Sequence, residues 1–131
     1  TEFGLVDNWL RHIKDVYVQN KNEIDSKRHE QQRINRMCEL NVIEQAVNVC
    51  ETTVVQNAWA QGQEVAVHGW IYGLNDGLVN DLEFNVANTD EVEDQYGLAI
   101  SKIEALRQLA KASENGQNAR SLWDRVRQIF S

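Results

Sequence analysis

The 131-residue chain has no proline, only two cysteines, and 13 basic side chains against 20 acidic ones. Each scarcity excludes something. Average proline usage is about 5%, and its complete absence fits long helices, whose interiors proline breaks. The two cysteines, Cys38 and Cys50, belong to no C-x-x-C or H-x-x-C pair and so lack the spacing of a local metal clip. Both fall in helical patterns among apolar neighbours, and both are expected to be buried, reduced core residues. No apolar run approaches the roughly 20 residues needed to span a bilayer. The opening Thr1-Glu2-Phe3-Gly4-Leu5-Val6-Asp7 has neither the basic region nor the apolar core of a signal peptide. A net charge of −7 repels phosphate backbones and anionic lipids alike, which argues against nucleic acid and membrane surfaces as partners. With nothing secretory in it, the protein is expected to be cytoplasmic.

What is present reads as one soluble domain, with 42% apolar and 25% charged residues. Leu5, Val6, Trp9, Leu10, Ile13, Val16 and Tyr17 have the spacing of an amphipathic helix over 4–19. Residues 20–32 are polar almost throughout and predict a solvated loop or a frayed, exposed helix. Helical periodicity returns over 33–61 on a wide apolar stripe, which implies packing on more than one side, and Gly62 is a natural C-terminal cap. The β-branched and aromatic stretch 64–72, the turn signal Asn75-Asp76-Gly77 and the alternating Leu82, Phe84 and Val86 predict a hairpin-like element. Asn88 or Thr89 caps the next helix, and Asp90, Glu91, Glu93 and Asp94 sit where the helix dipole favours negative charge. Residues 114–118 read as a break, and Ala119 to Phe130 as a last short helix. A lone hairpin is marginal in water, so this one needs the helices of the chain or a larger sheet.

Three stretches resemble β-class carbonic anhydrases. They are Gly4-Leu5-Val6-Asp7-Asn8-Trp9-Leu10-Arg11-His12-Ile13-Lys14-Asp15-Val16, then Cys38-Glu39-Leu40-Asn41-Val42-Ile43-Glu44-Gln45-Ala46-Val47-Asn48, then Val55-Gln56-Asn57-Ala58-Trp59 through Gly62-Gln63 to His68-Gly69-Trp70-Ile71-Tyr72-Gly73-Leu74-Asn75-Asp76-Gly77. They fall in the family's order and spacing and cover about residues 4–86. The resemblance implies an α/β fold, a mostly parallel sheet flanked by helices, of which this chain is the helix-rich C-terminal part. Residues 1–113 would belong to that domain, and 114–131 would be a linker and a short C-terminal helix.

The resemblance also implies a homo-oligomeric zinc enzyme that interconverts carbon dioxide and bicarbonate. The family holds its zinc through a cysteine on an early C-x-D/C-x-S type segment and a later H-x-x-C, assisted by an aspartate and an arginine. Those segments precede the stretch that begins at Gly4, so no catalytic residue and no metal ligand is expected here. His12, His29 and His68 offer no ligand-like pair with the two cysteines. Without its ligands the chain alone is expected to be inactive and to bind no zinc, and to associate with itself or with the missing N-terminal half. The alternative is a non-catalytic relative with a structural or oligomerisation role. Tyr72 aligns with a family position at the mouth of the active site, so it either lines a pocket or packs across strands. His68 is expected to be a hydrogen-bonded strand histidine rather than a proton relay. The four tryptophans are expected to pack in the core or at an interface.

Overall fold

A helix with apolar residues on two sides needs two partners. In the computed structural model, which describes residues 4–114, the chain runs α1 (Leu5–Gln19), α2 (Lys21–Asp25), α3 (Glu30–Cys50), α4 (Thr53–Ala60), β1 (Val67–Tyr72), β2 (Val79–Val86), a 3-10 turn (Thr89–Glu91) and α5 (Val92–Glu114). On one side of α3, Leu40 packs with Val16 of α1 and Ile24 of α2. On the other, Ile43, Ala46 and Cys50 meet Leu82, Phe84 and Val86 of β2 and Ala99 and Ile103 of α5. The wide stripe is thus two stripes, and α3 is the spine of the fold. The architecture is α/β, with helices on a two-stranded antiparallel sheet.

One segment differs from the sequence reading, and in another the structure decides between a loop and an exposed helix. The continuous helix over 33–61 is broken at Glu51 and Thr52. Thr52 takes an extended conformation, and its Oγ1 accepts a hydrogen bond from the Val55 N–H, which caps α4. Gln56 Nε2 donates to the Cys50 carbonyl, so the end of α3 is not left unsatisfied. The polar run 20–32 contains α2 because a single apolar residue, Ile24, is buried and an ion pair fastens the helix to α3. The remaining boundaries follow the residues that predicted them. Gly62, at positive φ, closes α4 with hydrogen bonds from Gly62 N–H to the Trp59 carbonyl and from Gln63 N–H to the Ala58 carbonyl. Asn88 Oδ1 accepts from the Asp90 and Glu91 amides at the start of the last helix. The predicted linker and helix beyond Glu114 lie outside the described residues.

The hairpin pairs Val67 with Val86 and His68 with Asn85, then resumes with Trp70 opposite Asp81. Gly69 therefore faces three residues of β2, and the surplus forms a bulge in which Glu83 adopts φ 61. Lys102 of α5 holds this bulge, donating to the Asp81 carbonyl at 3.1 Å and pairing with the Glu83 carboxylate at 2.6 Å. The bulge keeps Leu82, Phe84 and Val86 all on the covered face. A Cβ at Gly69 would lie 3.2 Å from Phe84 Cβ, so the glycine makes the room that the fully buried phenylalanine fills. Gly69→Val is expected to destabilise the protein by about 1–3 kcal/mol through overpacking, and Gly69→Ala by less. Denaturant midpoints of the two variants against wild type check this order.

Candidate functional site

Side chains of a strand alternate between faces, and β1 sends Val67, Gly69 and Ile71 inward while His68, Trp70 and Tyr72 form an outward row. His68, with its proton on Nδ1, donates to Asn85 Oδ1 at 2.6 Å and stacks on Trp70 with ring centroids 5.4 Å apart. The strand-histidine role expected of His68 is the one observed. Tyr72 ends the row beside Val79 and is 61% exposed, with its hydroxyl 3.7 Å from where a Cβ on Gly77 would sit. Gly77 takes positive φ in the turn that follows, and Asp76 Oδ1 accepts from the Leu78 N–H. The row presents aromatic surface and one imidazole with a free Nε2 edge, so it can stack and hydrogen-bond. It has no carboxylate paired with a nucleophile.

The other residues singled out in the sequence do not join this row. Cys50 is fully buried in the core, as expected, and burial pushes its thiol above the usual range. Cys38 is exposed, contrary to expectation, because the α3 stripe near it turns Leu40 and Arg36 inward instead. His12 and His29 are exposed on α1 and just ahead of α3. Arg11 donates to Asn8 one turn earlier on its own helix. Trp59 is half-buried and its Nε1 donates to the Val65 carbonyl, whereas Trp70 is exposed, outside the core of the chain. An open groove of about 380 Å³ beside Trp59 runs from Gly62 to Ala66, and Glu64 is its single titratable residue. Among the described residues no three His, Cys, Asp or Glu side chains come together in a way that could hold a metal ion. The described residues therefore offer no donor set for a zinc centre.

The most unusual electrostatic feature was invisible as a motif. Arg36 of α3 is only 3% exposed and lies between two carboxylates. Its Nε donates to Glu23 Oε1 at 2.5 Å, its Nη2 pairs with the same carboxylate, and its Nη1 reaches Glu39 Oε2 at 3.3 Å. Glu23 lies 13 residues away on α2, a separation that no helical spacing encodes. Desolvation raises the Glu39 carboxyl above its ordinary 4.5, against the opposing pull of Arg36.

Set beside known proteins, this geometry falls into place. The family model described as carbonic anhydrase matches residues 1–79. A carbonic anhydrase of Emericella nidulans is 41% identical over 85 residues, covering 65% of this chain and 37% of that protein. A Coccomyxa β-carbonic anhydrase, solved in complex with acetazolamide, superposes with a TM-score of 0.62 at 31% identity, over 69% of this chain and 40% of that one. The chain belongs to the carbonic anhydrase family, in its β class. It spans well under half the length of these two relatives.

A carboxyl raised in the folded state adds stability that is fully present below its ordinary value and is lost as pH rises through the folded value. Glu39→Gln removes that dependence. The stability of the variant relative to wild type is expected to grow as pH rises above the ordinary carboxyl value, measured by urea unfolding from acid pH to neutrality. A flat difference would mean that the carboxylate is fully compensated by Arg36.

Proposed function

We propose that this chain is the C-terminal part of a zinc-dependent β-class carbonic anhydrase that catalyses the reversible hydration of carbon dioxide to bicarbonate. The family match over residues 1–79 carries this reading. In it, the zinc ligands come from polypeptide outside these 131 residues, because the described residues offer no donor cluster for the metal. The chain supplies scaffold: α3 as the spine, α1 and α5 against it, and the hairpin as the end of a larger sheet. Tyr72, exposed at the end of β1, is the one residue here assigned to the mouth of the substrate pocket.

The assembly is a homo-oligomer in this reading, supported by apolar residues of α1 that stand in water in the isolated chain, Leu5 at 86% exposure among them. The two free cysteines suit a reducing, cytoplasmic setting. None of the described helices is long and apolar enough to cross a membrane, and nothing in this reading calls for nucleic acid.

The 131-residue chain, purified and dialysed, is expected to retain no stoichiometric zinc and to hydrate carbon dioxide no faster than buffer. Extending it at the N-terminus with the sequence its gene encodes is expected to restore both. Zinc retention together with hydration by the 131-residue chain alone would overturn the proposal. In the active extended protein, Tyr72→Ala is expected to lower kcat/KM several-fold while zinc content stays unchanged. Unchanged kinetics would reduce Tyr72 to a cross-strand packing residue.

A further inference from the structure

Side chains of a strand alternate with period two, so a pairing that slips by two residues turns none of them to the other face. The hairpin has that freedom. From His68 to Trp70 the first strand advances two residues, while from Asn85 to Asp81 the second advances four. The surplus of two is what sets Tyr72 opposite Val79. Continued from the His68–Asn85 pair without a bulge, the ladder would set Trp70 opposite Glu83, Ile71 opposite Leu82 and Tyr72 opposite Asp81. That register keeps Leu82, Phe84 and Val86 on the covered face, and it needs no positive φ at Glu83. A side chain with a Cβ rarely adopts φ 61, so contacts present only in the bulged register must offset the strain.

Those contacts come from α5. Ala99 and Ile103 anchor the helix in the core on either side of Lys102. The Lys102 ammonium spans the surplus residues, donating to the Asp81 carbonyl at 3.1 Å and pairing with Glu83 Oε1 at 2.6 Å. Asp81 Oδ1 accepts from the Glu83 N–H at 2.7 Å and joins the two ends of the bulge. The turn bond from the Gly73 N–H to the Leu78 carbonyl favours the same register. Straightening β2 would carry Asp81 from opposite Trp70 to opposite Tyr72, about 7 Å along the strand. The ammonium, fixed on another element, would lose it.

We infer that Lys102 is a positioning residue: it latches β2 in the bulged register and so sets Val79, rather than the Asp81 carboxylate, beside Tyr72. The register stands on the geometry alone. Its consequence for catalysis rests on the assignment of Tyr72 to the mouth of the substrate pocket. There a carboxylate beside Tyr72 would repel the bicarbonate anion.

Cross-strand nuclear Overhauser effects from Tyr72, measured on the isotope-labelled 131-residue chain, read the register. Wild type is expected to connect Tyr72 to Val79. Lys102→Met, which removes the ammonium and keeps an unbranched stem, is expected to weaken that connection several-fold and to bring up one from Tyr72 to Asp81. Lys102→Arg is expected to keep the wild-type pattern. Adding Glu83→Gly to Lys102→Met is expected to restore it, because glycine takes positive φ without strain. An undiminished Tyr72–Val79 connection in Lys102→Met would overturn the inference. So would its absence from the double variant, whether or not Lys102→Met alone keeps an ordered hairpin.

In the active extended protein, Lys102→Met is expected to lower kcat/KM several-fold at unchanged zinc content, and Lys102→Arg to recover most of the loss. Tyr72→Ala is expected to add little on top of Lys102→Met, since both act through one side chain. A slipped register with wild-type kcat/KM would overturn the assignment of Tyr72 alone. A wild-type register in Lys102→Met overturns the latch whatever the kinetics.

Discussion

Phe84 has no exposed surface, and the room it occupies exists because Gly69 has no side chain. That contact ties three features together. A two-stranded sheet has too little area to hold itself together in water, so its stability comes from the face that β2 presents to α3 and α5. Presenting Leu82, Phe84 and Val86 on one face across a register change requires the bulge at Glu83, and the bulge is held by Lys102 from α5. A Cβ at Gly69 would crowd Phe84 and come within 3.8 Å of Val42 on the spine. The helix that carries the family's middle motif and the strand that carries Tyr72 are positioned by the same packing.

The second half of the fold is organised by charge as well as by apolar burial. Leu40, Val16 and Ile24 make a small cluster, and the buried Arg36 clamps α2 beside it through Glu23. A guanidinium this deep holds its position only while its carboxylate partners stay in place, since an unpaired buried charge is strongly destabilising. The short, polar α2 thus depends on an interaction from another helix. Its own composition could not sustain it.

This division explains what could be read from the sequence. The amphipathic α1, the alternating β2, the Asn75-Asp76-Gly77 turn, the Gly62 cap and the Asn88 cap are local signals, and each appears where its residues predicted. The resemblance of three ordered stretches to carbonic anhydrases also holds, since family and fold both match. What could not be read depends on distant pairs. Helix α2 needs Arg36, 13 residues from Glu23. The break after Cys50 needs a threonine hydroxyl to win over continued helical periodicity, and the two outcomes look alike in an apolar pattern. Cys38 sits among apolar neighbours in sequence but on the exposed side of α3, because that stripe is two stripes and the residue falls between them. The hairpin's uncovered face was foreseeable only as a question of what covers it.

Taken together, a family scaffold whose described residues offer no metal donor set leads to the proposal at the centre of this account: that the zinc ligands come from polypeptide outside these 131 residues. The intact, denatured mass of the protein isolated from its natural source tests that most directly. The account predicts a mass well above 15.1 kDa, with the excess at the N-terminus and a cysteine and an H-x-x-C within it. A mass of 15.1 kDa would contradict it and make this chain a non-catalytic member of its family.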